Sequence, residues 1–199
     1  TIAKLISLFL FCNSLLATEL VQIDVGNAIN FHGILTMPAT KKIDLTNHGT
    51  AMASALESEL KIQKSKPVIA KQLVWVFSFP KSLYKALIAG LKEEPKVLSL
   101  SYGGRRADTF EEAILFGYAL NDTVIVAASG NDALPWVSYP ANNPYVWAVG
   151  AVNSSLNKAS FSNFGSALDF VAPGENIGTA LGAVDGTSFS SPEVAARSE

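Results

Sequence analysis

The chain is poor in the residues that build metal sites and cross-links. Among 199 residues there is one cysteine, Cys12, and there are two histidines, His32 and His48. One cysteine closes no disulfide within the chain, and two distant histidines with one cysteine make no zinc site. No acidic loop of the EF-hand kind occurs either. Charge is sparse: 16% of residues are Asp, Glu, Lys or Arg, and the formal net charge is −2. So weak a charge argues against nucleic acid or an acidic membrane surface as an obligate partner. The one basic stretch, Lys61, Lys64, Lys66 and Lys71, alternates with polar residues and reads as a solvated connection. There is no internal repeat, low-complexity tract or long linker. The apolar run at residues 5–16 is too short to span a bilayer and is interrupted by Asn13 and Ser14. No stable membrane insertion is expected.

What the chain does have is apolar material, 49% of its residues, enough for a buried sheet with helices on both faces. Its length fits one domain. Lys4, the apolar run and Ala17-Thr18 read together as a secretory signal peptide over residues 1–17, although Leu15 is large for the position it would take before the cut. A buried N-terminal helix is the plainer alternative. Phe11 precedes Cys12 where a lipoprotein signal needs a small residue, so lipidation is not expected. Cleavage near Ala17 would leave residues 18–199 without cysteine. That suits a secreted or otherwise extracytoplasmic protein.

Hydrophobic patterning alternates between two periods. Strands are expected at 20–23, 72–79, 97–101, 124–128, 146–152 and 168–171, and helices at 49–60, 81–92, 109–120 and 188–197. Leu83, Leu87, Ile88 and Leu91 fall at helical spacing, with Pro80 before the first turn and Pro95 past the end. Strands alternating with helices imply an α/β fold built on a mainly parallel sheet. In such folds reactive groups gather at the C-terminal edge of the strands.

Four residues fall on that edge. Gly186-Thr187-Ser188-Phe189-Ser190-Ser191-Pro192 reads as a serine at the mouth of a helix, where unpaired N–H groups point outward. A serine there can attack a carbonyl while nearby N–H groups receive the negative charge. It can equally be a plain N-cap. His48, in Asn47-His48-Gly49-Thr50, would sit on the opening turn of a small-residue helix and could serve as the base; a satisfied structural histidine is the alternative. His32 reads as a loop residue. Asp24, ending the run Leu20-Val21-Gln22-Ile23, is costly at the end of a buried strand unless paired, and could orient the histidine or simply cap the strand. Asn131, after Val124-Ile125-Val126-Ala127-Ala128-Ser129-Gly130, could donate its amide to an oxyanion or belong to an ordinary Gly-Asn turn.

Taken together, these blocks resemble the subtilisin-like serine peptidases, the subtilases. The resemblance rests on Gln22-Ile23-Asp24-Val25-Gly26, His48-Gly49-Thr50 and the Ser188 block, in the chain order Asp, His, Ser. Leu98-Ser99-Leu100-Ser101-Tyr102-Gly103-Gly104 is similar to the family's substrate-binding strand. Tyr139-Pro140-Ala141, Phe161-Ser162-Asn163-Phe164-Gly165 and Phe170-Val171-Ala172-Pro173-Gly174 match as well. The similarity spans about residues 20–196. It implies a three-layer α/β fold with a twisted, mainly parallel sheet, and a serine endopeptidase acting through an acyl-enzyme. Asp24, His48 and Ser188 would form the triad, with Asn131 as oxyanion donor. Ser101, Tyr102, Gly103, Ser129 and Gly130 would bind an extended polypeptide, with a preference for large apolar P1 residues. No cofactor is required for that chemistry. Structural calcium is common in the family but maps to no residues here, and no metal ligand is assigned. A monomer is expected.

The chain departs from the family pattern in several places. Val25 stands where Ser or Thr is usual, Ser190 where Ala is usual, and Glu193 where His is frequent. Only eleven residues follow Ser188 in the 199, and about six separate the expected cleavage point from Asp24. A C-terminally shortened peptidase domain over 18–199, with no room for a propeptide, is therefore expected. A catalytically inactive peptide-binding module and a non-functional fragment are the alternatives. An esterase or lipase is disfavoured, because the chain has no Gly-x-Ser-x-Gly elbow.

Overall fold

The computed structural model describes the backbone of residues 20–25, 34–36 and 70–75. It describes backbone and side chains of 51–52, 54–55, 87–88, 90–92, 95–104, 112, 114, 117, 122–179 and 181–198. Nine strands are present among them: β1 Leu20–Val25, β2 Ile34–Thr36, β3 Ala70–Trp75, β4 Val97–Leu100, β5 Val124–Ala128, β6 Val146–Val152, β7 Phe170–Pro173, β8 Ile177–Thr179 and β9 Gly182–Val184. One helix, α1, runs over Thr187–Arg197. Seven strands form one sheet in the order β2-β3-β1-β4-β5-β6-β7, and every neighbouring pair is parallel. β8 and β9 pair as a separate antiparallel hairpin.

This order has a consequence for function. After β1 the chain lays β2 at the sheet edge and β3 between the two, then crosses to lay β4 on the other side of β1. The crevice at such a reversal, beyond the strands' C-terminal ends, is where parallel α/β sheets place their sites. Ile23 pairs with Leu100 across β1 and β4. Asp24 and Ser101, one residue further on in each strand's direction, therefore flank that crevice.

Side chains alternate across a strand, so each strand serves both faces. One face carries Leu98, Leu100, Ile125, Ala127, Val146 and Ala148. They pack with Leu87 and Leu91 from helical backbone at 87–88 and 90–91, and with helical Ile114. All nine are buried. Burial of a large aliphatic side chain contributes about 1.5–3 kcal/mol, so this face supplies most of the apolar stabilisation. The opposite face carries Ser99, Ser101 and Ala151 and is covered by α1, which packs on β4, β5, β6 and β7. Helices on both faces of a parallel sheet give the expected three-layer α/β architecture.

Several boundaries differ from expectation. β1 runs through Asp24 to Val25, because both residues find parallel partners, Val74 and Trp75, on β3. β3 begins two residues earlier than expected, at Ala70, and residues 76–79 lie outside the described set. β7 begins at Phe170 rather than at residue 168, because Leu168 N–H turns back to the Gly165 carbonyl. β2, β8 and β9 were not anticipated. Helical backbone occurs inside each of the other three expected helices, at 51–52 and 54–55, at 87–88 and 90–91, and at 112, 114 and 117. The proposed signal segment 1–17, His32 and His48 lie outside the described residues.

Candidate active site

Ser188 occupies the second residue of α1 and is half-buried. The preceding Gly186 has no side chain to cap the first turn. Pro192 lies inside the same helix. It lacks an N–H, so the Ser188 carbonyl four residues back has no helical donor. Ser101 fills that gap: its Oγ–H donates to the Ser188 carbonyl at 2.8 Å. The end of β4 and the mouth of α1 are thereby joined at the serine itself.

A second tie comes from β5. Asn131 Oδ1 accepts both the Thr187 N–H, at 2.9 Å, and the Thr187 Oγ–H, at 2.8 Å. Thr187 Oγ1 in turn accepts the Gly130 N–H at 3.2 Å. With its oxygen doubly engaged, the amide plane is fixed, and the Nδ2 side is left to donate elsewhere. That nitrogen lies beside the serine turn, 3.4 Å from where a Cβ on Gly186 would stand. Asn131 as a residue is exposed, which leaves it open to a bound ligand.

A third tie is apolar. Phe189, next to Ser188, packs with Ala51 and Met52, which follow His48 closely in sequence, and with Ile177 and Val184 of the β8–β9 hairpin. The hairpin is held at its base by Asn176 N–H donating to Asp185 Oδ1 at 2.8 Å.

The sequence-predicted residues can now be placed. Ser188, Asn131 and Ser101 are brought together by direct hydrogen bonds around the α1 mouth. Asp24 is placed by its backbone at the C-terminal end of β1, against Val74. Ser129 and Gly130 follow β5 directly; the Ser129 N–H donates to the Val149 carbonyl at 2.9 Å. Gly103 and Gly104 follow β4, and the Gly104 N–H donates to the Tyr139 carbonyl at 2.7 Å. Tyr102 turns inward against the main apolar core, with its phenol over Gly104 where a Cβ would stand. Burial pushes its phenol up from the ordinary 10.0, so it stays neutral. A Cβ on Gly103 would stand 3.5 Å from Ser138 Cβ, so the two segments lie in close contact there. Sequence reasoning gave no role to Thr187 or Ser138. Among the described residues, no group of three His, Cys, Asp or Glu side chains could hold a metal ion.

The chain is similar to known proteins in sequence and in fold. The sequence model of the subtilase family matches residues 35–197. Subtilisin NAT of Bacillus subtilis subsp. natto is 34% identical over 169 residues, covering 76% of this chain and 44% of that protein. The subtilisin of Bacillus pumilus is 34% identical over the same length, covering 62% of that protein. The chain therefore spans about half the length of such relatives. Among solved structures, the patellamide maturation protease PatA superposes with a TM-score of 0.74 at 24% identity, over 90% of this chain and 76% of that one. A cold adapted subtilisin-like serine proteinase gives 0.72 at 23%, over 89% and 72%. At those identities the likeness shows the fold alone. The match over residues 35–197 does more: the chain belongs to the subtilase family.

Proposed function

We propose that this chain is a serine endopeptidase that hydrolyses peptide bonds through an acyl-enzyme. Ser188 Oγ attacks the scissile carbonyl. His48 takes the Oγ proton and returns it to the leaving amine. Asp24 holds the His48 tautomer and stabilises the imidazolium. The Asn131 Nδ2–H and the Ser188 N–H receive the oxyanion. The observation that carries this reading is the Thr187–Asn131 pair. It fixes an exposed amide beside a serine at a helix mouth, the preorganisation that charge developing on a carbonyl oxygen requires.

The substrate is an extended polypeptide lying along Ser101, Tyr102 and Gly103 as an added strand, with Ser129 and Gly130 on the other side of its P1 residue. Glycine at 103, 104 and 130 favours large apolar P1 side chains, with Ser138 setting the depth. The chemistry runs on side chains and backbone N–H groups and calls for no cofactor. The apolar N-terminal segment supports action outside the cytoplasm, and the chain is taken to act as a monomer. No helix among the described residues is long and apolar enough to cross a membrane.

The test is labelling of the purified protein with a fluorophosphonate probe, wild type against Ser188→Ala, with circular dichroism on both. Labelling of the wild type alone is expected. A well-folded wild type that does not label would sink the peptidase reading and leave a peptide-binding module.

A further inference from the structure

One motif is unaccounted for by the proposed chemistry. Asn163, in Phe161-Ser162-Asn163-Phe164-Gly165, is wholly buried, yet it touches none of the reacting groups. Its side-chain amide has two donors and one oxygen with two lone pairs. All four are used. Nδ2 donates to the Ser129 carbonyl at 3.1 Å and to Ser138 Oγ at 3.2 Å. Oδ1 accepts the Asp132 N–H and the Leu134 N–H, both at 3.0 Å. Its backbone N–H donates to the Gly130 carbonyl at 3.0 Å.

These partners bracket Asn131. Ser129 and Gly130 precede it and Asp132 follows it, so one buried residue grips the chain on both sides of the oxyanion amide. The neighbouring segment completes the grip: Ala133 N–H donates to the Phe161 carbonyl at 2.8 Å, and Phe164 N–H to the Leu134 carbonyl at 3.0 Å. The loop cannot shift over this anchor. Gly130 has φ 107°, and a Cβ there would overlap Asn163 Nδ2 and stand 2.6 Å from Ser138 Oγ. Ser138, which lies beside Gly103, is held by the same amide.

We infer that Asn163 is a positioning residue for the oxyanion site, clamping the backbone on either side of Asn131 so that its amide meets the developing charge. This rests on the peptidase reading. The clamp acts on the transition state more than on the bound substrate, because a misplaced donor costs most where charge develops. Other side chains fit poorly. Leucine fills the volume but takes away the acceptor of the Asp132 and Leu134 N–H groups and the donor to Ser138 Oγ, and aspartate brings a buried charge and no donor.

The test is a double-mutant cycle on the full chain. Peptide turnover is measured for wild type, Asn163→Ala, Asn131→Ala and the double variant, with thermal unfolding of each. Asn163→Ala is expected to lower kcat about 10–100-fold, the scale of an ångström's misplacement, with KM within about threefold. In the Asn131→Ala background the same change should lower kcat by less than about threefold, since the donor it positions is gone. A folded Asn163→Ala enzyme with wild-type kcat would overturn the role. So would a loss of equal size in both backgrounds, which is what a merely structural residue gives. Should Asn163→Ala fail to fold, Asn163→Ser is read by the same cycle, and failure of both to fold makes Asn163 a folding residue and overturns the inference. A wild type that neither labels nor turns over sinks the peptidase reading and this role with it, whereas an active wild type with additive variants sinks this role alone.

Discussion

The two faces of the seven-stranded sheet are built on different principles. On one face Leu98, Leu100, Ile125 and Val146 meet Leu87, Leu91 and Ile114, and volume is what matters. On the other face α1 lies close to the sheet, with small and hydroxyl-bearing residues between them. Ser190 Oγ–H is within 3.1 Å of both the Ala172 and the Pro173 carbonyl. Ser101 Oγ–H reaches the Ser188 carbonyl from below. A Cβ on Gly174 would overlap Ser190 Oγ and stand 2.6 Å from Ala151 Cβ, so the helix approaches as closely as atoms permit. One face holds the molecule together through displaced water. The other holds the serine in place through directional bonds. The lesson is that stability and reactivity are separable across a single layer of backbone.

The separation can be broken most forcefully on the apolar face. Leu98 is fully buried, and Leu98→Ala should cost about 2–5 kcal/mol of unfolding free energy through lost burial and the cavity left behind. At temperatures where the variant is still folded, kcat should stay within about twofold of wild type. Chemical denaturation and steady-state kinetics on one preparation check both halves. A large fall in kcat in the folded protein would show that the two faces are coupled. On the other face, Thr187→Val keeps the shape and the N–H but removes the hydroxyl that Asn131 and Gly130 share. The expected effect is about tenfold in kcat, equivalent to about 1.4 kcal/mol of barrier, with little change in KM and a thermal midpoint lower by a few degrees, since the Gly130 N–H loses its acceptor. Thr187→Ser should restore most of it. A change confined to KM would place Thr187 in substrate binding instead.

The two faces also differ in how far the sequence reveals them. The apolar face is legible: the runs at 124–128 and 146–152 coincide with β5 and β6, because buried parallel strands are continuous apolar stretches. The edge on which Ser188, Asp24 and Asn131 fall is legible too, since strand-helix alternation fixes direction. Pro192 carries a readable signal that the Ser188 carbonyl must find a donor, but not that the donor is Ser101. The strands that went unseen, β2, β8 and β9, have three residues each and owe their form to partners rather than to periodicity. The same holds for the polar locks. Thr187 and Asn131 are 56 residues apart, and Asn163 and Ser129 are 34 apart. Local pattern carries no trace of such pairings. They exist only after the sheet has brought the loops together.

The α1 face also has one flaw, and it yields the smallest and most discriminating test. Ser191 is fully buried in α1, and its Oγ has no hydrogen-bond partner among the described residues; Ser99 on β4 is in the same position. A buried hydroxyl without a partner costs about 1–3 kcal/mol relative to one that is satisfied. Alanine is also the better helix former, by up to about 0.7 kcal/mol. Ser191→Ala removes the orphan atom and leaves a void smaller than a water molecule. It should therefore raise stability by about 1 kcal/mol, seen as a thermal midpoint higher by a few degrees, while kcat stays unchanged. Ser190→Ala, one residue away, should do the reverse, because its hydroxyl is bonded to β7. Two adjacent serines on one helix, opposite in sign, would show that hydroxyls strengthen this face only where a carbonyl receives them. Loss of stability in both would mean that the Ser191 hydroxyl has a partner after all, and that the whole α1 face is bonded to the sheet.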